Sequence, residues 1–472
     1  MRILHIDKTP CRGGGVGSFL AALTAAQQRR GHHVEWFGCR EEAQSSPGPL
    51  RKASRPAFVD FTAAGPWALP RMIHNAQAAQ DLAAFLRPRR FDVAHLHNIY
   101  HHLTPSILPV LARHGAAIVM TIHDYRLACP TKHFLSRQGL CTRCDGGRFY
   151  HAAGRRCAGA RGAALAVESY VQALGRRYAG RVDLFLCPTQ YMRGVLARAG
   201  LPPSKLRVVA NPIHLDAYAD RGEAKGADAI GGCQTASRPP SLLCEAAMPL
   251  RCEARAAGTQ DALTPNEQQQ TDNDQQPTTN NQQPITNNRF DYDFLYLGRL
   301  SEEKGPELML ELARLLPAAR MAVAGGGPMA GELRRQAQAA GLANLVFAGR
   351  LERDEAADLL ARSACLVLTS RCMENSPQSM LEAMAAARCV IVPDQPPLWE
   401  WVRDGQTGRL FACGDAASLA GVAAEVLADP AGRERMARAG RGLVAARHGA
   451  DQAAASVDEA YSEARRRCAL RW

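Results

Sequence analysis

Two glutamates flank a predicted helix start in a stretch that could bind a phosphate. Glu374 comes just before Ser376 and Pro377, and Glu382 follows Glu374 by eight positions. Ser376 is a favourable N-cap, and Pro377 suits the first helical position, where its missing N–H costs nothing. Free amides and the positive end of the helix dipole would then face an anion. The pattern predicts a diphosphate site whose carboxylates could hold the hydroxyls of a sugar and a ribose.

Positively charged side chains follow a predicted strand nearby. Arg299 and Lys304 lie in the loop after the apolar residues 294–297, and cations in such a loop suit a diphosphate. A solvated loop would explain them equally well in isolation. Gly327 ends the loop after the next apolar segment, where the backbone could approach a ligand closely. Both loops are therefore candidate phosphate contacts.

A third glycine-rich loop follows the first predicted strand, residues 2–6. It contains Gly14, Gly15 and Gly17 and leads into a predicted helix. Strand, loop and helix in this order allow the backbone to border a phosphate. The dinucleotide fingerprint G-x-G-x-x-G is not met, because Ser18 stands where its third glycine would be required.

Histidines end two further predicted strands. His95 and His97 close one of them, and His123 with Asp124 closes the next. Ligands of α/β proteins bind at the carboxyl ends of parallel strands. For His95 and His97, a cap or a bond to a buried carbonyl is at least as good an explanation. His123 is the stronger candidate, and Asp124 could orient its imidazole.

The elements that position these residues form two predicted α/β domains. Strands alternate with helices over residues 1–215 and again over 290–472, which predicts two doubly wound parallel sheets. Residues 219–289 include a Gln/Asn/Thr/Pro tract that cannot bury a core, so we predict a disordered insertion in the interdomain linker. The Asp-x-Asp patterns at 272–274 and 291–293 lack a matching context and are interpreted as accidental.

Charge is distributed unevenly over the 472 residues, whose formal net charge is +12. Residues 1–215 contain 29 Lys and Arg against 11 Asp and Glu, whereas the remainder contains 28 against 34. A basic half indicates an anionic partner. No nucleic-acid-binding motif accompanies the charge, so we expect no nucleic acid partner. With neither an apolar run long enough for a membrane span nor a signal peptide, we expect a cytoplasmic protein.

Four of the fifteen cysteines lie in one Gly- and Arg-rich segment, residues 129–157. They are Cys129, Cys141, Cys144 and Cys157. Four thiolates could hold a structural zinc ion in a stretch with few apolar residues. His133 and His151 are alternative ligands.

Four motifs in order resemble the family 4 glycosyltransferases, a retaining family of the GT-B fold. They are Gly-Gly-x-Gly at 14–17, Thr-x-His-Asp at 121–124, Gly-Arg-Leu-x-x-x-Lys-Gly at 298–305, and Ser-x-x-x-Glu-Asn-Ser-Pro with Glu-x7-Glu at 370–382. The resemblance implies two Rossmann-like domains facing across a cleft, with the donor bound mainly to the second. It also implies that the last helix packs back on the first domain.

The resemblance also implies residue roles. Glu374 would face the donor sugar, with Asn375 beside it in the motif, and Glu382 would face the nucleotide ribose. His123 would reach the sugar near the reacting carbon. Arg299 and Lys304 would clamp the diphosphate, so no divalent metal is expected in catalysis.

These features predict transfer of a sugar from a nucleoside diphosphate sugar to a lipid-linked or saccharide acceptor. The basic first half favours an anionic acceptor at the cytoplasmic membrane face, as in surface-polysaccharide assembly. Alternatives are a catalytically silent nucleotide-sugar-binding or zinc scaffold, and an epimerase or phosphorylase of the same fold.

Overall fold

Two parallel β-sheets, each of six strands, organise the part of the chain that the structure describes. The structure is a computed structural model that describes residues 1–8, 14–39, 69–174, 178–219 and 290–470. The insertion predicted over 219–289 lies outside these residues, apart from Ala219, which ends a short helix.

The first domain contains nine strands and seven helices among the described residues. The strands are β1 (Arg2–Ile6), β2 (His33–Phe37), β3 (Val93–Leu96), β4 (Ala117–Thr121), β5 (Leu135–Ser136), β6 (Gly139–Leu140), β7 (Cys157–Ala160), β8 (Leu184–Cys187) and β9 (Leu206–Val208). The helices are α1 (Gly15–Arg29), α2 (Leu69–Ile73), α3 (Ala76–Leu86), α4 (Leu108–His114), α5 (Tyr150–Gly154), α6 (Gly162–Leu174) and α7 (Gln190–Arg198).

The second sheet and its helices follow. The helices are α8 (Asp216–Ala219), α9 (Leu308–Leu315), α10 (Ala330–Ala339), α11 (Arg353–Ala361), α12 (Gln378–Ala385), α13 (Ala416–Ala428), α14 (Pro430–His448) and α15 (Ala450–Ala469). The strands are β10 (Tyr292–Leu297), β11 (Met321–Ala324), β12 (Leu345–Gly349), β13 (Ser363–Val367), β14 (Cys389–Pro393) and β15 (Arg409–Phe411).

Both sheets have the doubly wound order that the alternation of strands and helices predicts. The orders are β2-β1-β3-β4-β8-β9 and β12-β11-β10-β13-β14-β15, and neighbouring strands pair in parallel. In both, the order reverses beside the first strand of the domain. Such a switch point opens a crevice at the carboxyl ends of the strands, where ligands bind. Each of the two sheets therefore has one such crevice, where a ligand could bind.

The helix after the first strand begins earlier than predicted. We predicted that Gly14, Gly15 and Gly17 all lie in a loop before the helix, but α1 already begins at Gly15. Gly14 is its N-cap with a φ of 97°, a left-handed value that favours glycine. Gly15 and Gly17 therefore lie in the first helical turn, so that α1 presents its free amides at the crevice.

Residues around the predicted end of the first domain, at 215, contact the second domain. Ile213, Leu215 and Tyr218 pack with residues of the second domain such as Leu360 and Met380. The chain therefore reaches the second domain close to the predicted boundary, and the assignment of 219–289 to the interdomain linker stays a prediction.

The last helix returns to the first domain, as the resemblance implied. Val457, Tyr461 and Ala464 of α15 are buried in the cluster that contains Leu23 and Val119. Arg207 of β9 binds the Glu463 carboxylate with two nitrogens, at 2.9 and 2.8 Å. Within the described residues, no helix combines the length and the apolar character that crossing a membrane needs.

Candidate active site

The amino end of α12 differs in detail from the predicted cap. The helix begins at Gln378, and Pro377 is an extended N-cap residue with ψ of 118°. The prediction of Ser376 as N-cap is wrong, because Pro377 keeps an extended ψ and is itself the N-cap, so that the helix begins one residue later than predicted. The Ser376 hydroxyl is buried and has no hydrogen-bond partner among the described residues. It is therefore available to a ligand at this helix end.

The amino ends of α1 and α12 lie side by side, although they belong to different domains. A Cβ atom placed on Gly15 would lie 3.6 Å from the Cβ of Gln378. Unpaired amides and two positive dipole ends therefore converge at the base of the cleft. This is the arrangement that a diphosphate requires.

Lys304 and Glu374 form an ion pair beside this point. Lys304 Nζ donates to Glu374 Oε1 at 2.6 Å, and the Ser370 hydroxyl donates to the same oxygen. Burial opposes the charge of Lys304, but the Glu374 carboxylate overcomes this effect and raises the pKa of the lysine. Lys304 therefore stays protonated and keeps the buried Glu374 paired.

The loop that carries Lys304 is held by backbone contacts. The Thr369 hydroxyl donates to the Lys304 carbonyl at 2.8 Å. Gly305 has a φ of 59°, and a Cβ there would lie 2.5 Å from the Thr369 carbonyl oxygen. Only glycine fits this close approach, so the predicted motif Lys-Gly has a steric reason.

Arg299 and Gly327 lie at the same loop but differ in what they contact. Arg299 is exposed, and the described residues contain no ion-pair partner for its guanidinium. Gly327 packs against the loop itself, since a Cβ there would lie 2.2 Å from the Leu300 carbonyl oxygen. The close approach predicted at Gly327 is thus made to the protein backbone.

The segment around Glu374 is bonded directly to the first domain. Asn375 Nδ2 donates to the Ile122 carbonyl at 3.1 Å, and the Tyr125 hydroxyl donates to the Glu374 carbonyl at 3.0 Å. His123 lies between Ile122 and Tyr125 in the chain. The structure thereby brings His123 and Glu374, predicted from separate domains, to the same part of the cleft.

His123 is oriented by another histidine and not by Asp124. Its Nε2 lies 3.0 Å from His97 Nδ1, and Phe19 packs edge-on against its ring at 4.8 Å. Asp124 instead accepts the backbone N–H of Arg126, which corrects the expectation that it orients the imidazole. Burial lowers the pKa of His123 to about 4, although Asp124 opposes this shift. His123 is therefore neutral at physiological pH.

Glu382 lies in the second turn of α12. Burial raises the pKa of its carboxyl to about 7, and Arg353 of α11 opposes this shift. Among the described residues it accepts no side-chain hydrogen bond. A carboxylate that accepts no hydrogen bond from the described side chains is suited to accept hydroxyl groups of a ligand.

Two functional candidates were missed by the sequence analysis. Asn211 donates to the Ser376 carbonyl at 3.5 Å, and its buried Oδ1 has no partner among the described residues. Gln395 accepts the Glu374 N–H at 3.3 Å and donates to the Ser370 carbonyl at 3.0 Å. Asn211 precedes a proline at a strand end, which could have indicated a loop at the cleft; Gln395 had no comparable pattern.

The four cysteines of the segment 129–157 are free thiols in one neighbourhood. Burial, and to a smaller extent the neighbouring Cys129, Cys157 and Cys141, raise the pKa of Cys144 to about 12. Among the described residues, His5, His95 and His97 bring three possible metal-ligand atoms within 4.8 Å of one another. The four thiols do not form such a group. Zinc at the cysteines stays a prediction.

Two family models match this chain in sequence. The model described as Glycosyltransferase Family 4 matches residues 13–217, and the one described as Glycosyl transferases group 1 matches residues 278–443. The chain belongs to glycosyltransferase family 4. The motif-based resemblance is thereby confirmed, and the first and second domains each correspond to one model.

Characterised relatives of this family 4 member match only in part. Glycogen synthase of Mycobacterium tuberculosis is 36% identical over 154 residues, which are 32% of this chain and 37% of the relative. Alpha-D-kanosaminyltransferase of Streptomyces kanamyceticus is 29% identical over 174 residues, 36% of this chain and 45% of that one. The chain thus matches less than half of the length of either relative.

Solved structures match over nearly the whole chain and show the GT-B fold. Anabaena Alr3699/HepE, in complex with UDP-glucose, has a TM-score of 0.58 at 16% identity, with 98% of this chain and 99% of that chain covered. Sucrose-phosphate synthase of Thermosynechococcus elongatus has a TM-score of 0.63 at 16% identity, with 98% of each chain covered. The expected fold class is confirmed.

Proposed function

We propose that this protein is a retaining glycosyltransferase that moves a sugar from a nucleoside diphosphate sugar to a lipid-linked or saccharide acceptor. The observation that carries the proposal is the Lys304–Glu374 ion pair at the amino end of α12, with His123 of the other domain beside it. The complex of the structural neighbour HepE with UDP-glucose supports a donor of this class.

The cations and helix ends would stabilise the leaving group. Negative charge grows on the diphosphate as the bond to the sugar breaks, and preorganised donors lower the energy of that state. Such donors are Lys304, the converging amides of α1 and α12, and Arg299, which has no ion-pair partner among the described residues. Side-chain and backbone groups would thus supply the stabilisation, and we expect no divalent metal requirement.

The two carboxylates would hold the two ends of the donor. Glu374 accepts from Lys304 and Ser370 at Oε1, which leaves Oε2 for a sugar hydroxyl. Glu382 would accept the ribose hydroxyls. Ser376 and Pro377 would border the phosphate, to which the Ser376 hydroxyl would donate, since this hydroxyl has no partner among the described residues. The buried Asn375 Oδ1, also without a partner among those residues, can only accept and would take a hydroxyl of the donor.

Substitution of the ion pair tests the proposal. Donor hydrolysis and sugar transfer are measured with UDP, GDP and ADP sugars for the wild type, Glu374→Ala and Lys304→Ala. We expect Lys304→Ala to lose about 10²–10³-fold in rate, as for loss of a donor to developing negative charge. Glu374→Ala should also lose activity, because it removes both the partner of Lys304 and the proposed acceptor for the sugar hydroxyl. Arg314→Ala, which removes an exposed cation from α9, is the matched control and should keep the rate.

Equal rates in all four proteins would contradict the assignment. Donor binding without any turnover would favour the catalytically silent scaffold, and epimerised donor would favour the epimerase. NMR of the product anomer tests retention, and an inverted product would refute that part.

We infer an anionic acceptor at the cytoplasmic membrane face from the basic first domain, a role in surface-polysaccharide assembly being the expected setting. Sedimentation with vesicles of anionic lipid tests it: binding should fall from low to high salt, because surface charge attraction is screened. Equal binding at both salt concentrations would count against a charged membrane contact.

We further propose a structural zinc ion at Cys129, Cys141, Cys144 and Cys157. Their proximity supports it, since the three other thiols raise the pKa of Cys144. Metal analysis of the purified protein should find about one zinc per chain, and Cys144→Ala should lower that content. A zinc content far below one ion per chain would reject the site.

A further inference from the structure

A continuous series of buried hydrogen bonds leads away from His123 into the first domain. His123 Nε2 lies 3.0 Å from His97 Nδ1, and His97 Nε2 lies 2.9 Å from His5 Nδ1. His5 Nε2 in turn lies 2.8 Å from Gln27 Oε1. We call these four side chains the histidine chain.

The histidine chain is anchored by the last helix. Gln27 Nε2 donates to the Tyr461 hydroxyl of α15 at 3.0 Å. That hydroxyl lies 2.6 Å from His95 Nδ1, and His95 Nε2 lies 2.7 Å from the Thr121 hydroxyl. Every polar atom of the Gln27 and His95 side chains is therefore engaged, except the second hydrogen of the amide.

Each ring in the series is neutral. Burial lowers the pKa of His5 to about 4, against its hydrogen bond with Gln27, and burial lowers the pKa of His95 and His97 well below the ordinary value. A neutral imidazole carries one proton, so one nitrogen donates and the other accepts. Fixing the proton on one ring therefore fixes it on the next.

The Gln27 amide determines the direction. Its Oε1 can only accept, so His5 carries its proton on Nε2 and accepts at Nδ1. His97 must then donate from Nε2 and accept at Nδ1, which places the proton of His123 on Nε2. His123 Nδ1 keeps a lone pair and has no hydrogen-bond partner among the described residues.

We propose that His97, His5 and Gln27 are positioning residues that fix the tautomer of His123, so that its Nδ1 accepts a hydrogen bond from a hydroxyl of the bound sugar. The assignment of the sugar as ligand rests on the proposed function, but the tautomer does not. The neutral chain does this without placing a charge in the core, which would carry a large desolvation cost.

Two other arrangements use the same residues. Turning the Gln27 amide by 180° would reverse every bond and leave His123 with a proton on Nδ1, a donor. A metal at His5, His95 and His97, whose ligand atoms lie within 4.8 Å, would need lone pairs that the present bonds occupy. The Tyr461 hydroxyl, which accepts from Gln27 and donates to His95, fits the arrangement without metal.

The first experiment reads the tautomer directly. Long-range 15N–1H spectra of protein with 15N-labelled histidine distinguish a protonated from a bare ring nitrogen, and His123→Gln identifies the signals of His123. We expect Nε2 protonated and Nδ1 bare. A protonated Nδ1, or stoichiometric metal that shifts the signals of His5, His95 and His97, would overturn the proposal.

The second experiment uses two substitutions of His97. His97→Gln keeps one acceptor for His123 and one donor for His5, whereas His97→Leu keeps neither. We expect His97→Gln to retain the tautomer and a transfer rate within about threefold, and His97→Leu to mix the tautomers and lower kcat about tenfold, which corresponds to 1.4 kcal/mol. His448→Gln, a buried histidine bonded to Trp401 and Asn211, controls for stability and should leave the His123 signals unchanged.

An unchanged His123 tautomer in His97→Leu, with the fold intact by thermal melting, would refute the positioning role. If the wild type shows the Nε2 tautomer but transfers no sugar, the proposed function fails while the tautomer assignment stands. Equal rates for His97→Leu and His97→Gln would refute the catalytic consequence.

Discussion

At the scale of single residues, the protonation of Glu382 makes donor binding depend on pH. Its pKa of about 7 results from burial, which Arg353 opposes. An ionised carboxylate accepts two ribose hydroxyls, and the protonated form loses part of that capacity. We expect donor affinity to be about tenfold weaker at pH 6 than at pH 8, because about one in ten groups is ionised one unit below its pKa.

Calorimetry with a nucleoside diphosphate sugar measures this dependence. Such a donor carries no phosphate monoester that titrates in the range, and His123, whose pKa is about 4, stays neutral throughout. Glu382→Gln is the control and should bind the donor weakly at both pH values. A wild-type affinity that does not change between pH 6 and pH 8 would show that Glu382 does not bind the donor.

The site residues that could be predicted from the sequence are those whose type is required by the local structure. Lys304 and Gly305 are adjacent because the loop needs both a cation and a residue without Cβ. Glu374 and Glu382 are eight positions apart on one helix start. Arg353 could not be foreseen beside Glu382, because α11 reaches it only through the tertiary packing. Ser376 was assigned as N-cap because its type fits, whereas the extended ψ of Pro377, which the sequence does not reveal, makes the proline the N-cap.

At the scale of elements, the loop between β10 and α9 depends on Gly305. Gly305 and Gly341 both have left-handed φ values, 59° and 64°, but only a Cβ at Gly305 meets another atom, the Thr369 oxygen at 2.5 Å. We expect Gly341→Ala to cost about 1 kcal/mol of unfolding free energy. Gly305→Ala should cost more and displace Lys304, which lowers activity.

Urea denaturation and initial rates, measured for Gly305→Ala and Gly341→Ala, test this prediction. Since the backbone strain is common to both substitutions, their difference isolates the steric contact with Thr369. If Gly305→Ala costs no more than Gly341→Ala and keeps full activity, the loop does not need this contact.

The helix α15 is held by its apolar face and by Tyr461, whose side chain is fully buried. We expect Tyr461→Ala to lower the unfolding free energy by about 3–5 kcal/mol, the usual cost of removing a buried aromatic ring. Ser462→Ala, on the neighbouring exposed position, should change it little. Denaturant unfolding measures both, and similar values for the two variants would mean that α15 does not stabilise the first domain through this face.

Periodicity predicted these helices but not their partners. The apolar positions of α15 follow the spacing of one helical face. That spacing does not state which sheet the face covers, and only the family resemblance placed α15 on the first domain. For α8 no such guide existed, because the contacts of Leu215 and Tyr218 with the second domain arise only in the tertiary structure.

At the scale of the whole molecule, Glu400 connects the two domains. Its carboxylate accepts the backbone N–H groups of Gln190 and Tyr191 at the amino end of α7, at 3.1 and 2.8 Å. Hydrogen bonds to a charged group are worth about 1.5–3 kcal/mol each. We expect Glu400→Ala to favour opening of the cleft and to raise the donor KM.

Small-angle scattering and kinetics check this prediction. The radius of gyration of Glu400→Ala should exceed that of the wild type, and a donor should reduce the difference. Glu332→Ala, which removes an exposed carboxylate from α10, is the control. Equal radii and an unchanged KM would show that Glu400 does not hold the cleft closed.

The return of α15 to the first domain also has a consequence for synthesis on the ribosome. The strands that α15 covers, β4 and β8, are complete before residue 190, but α15 begins only at Ala450. At roughly 5–20 residues per second, the apolar surface around Val119 and Leu186 waits on the order of tens of seconds for its cover. The first domain is thus translated first yet completed last, and the nascent chain is most exposed to aggregation while its second domain emerges.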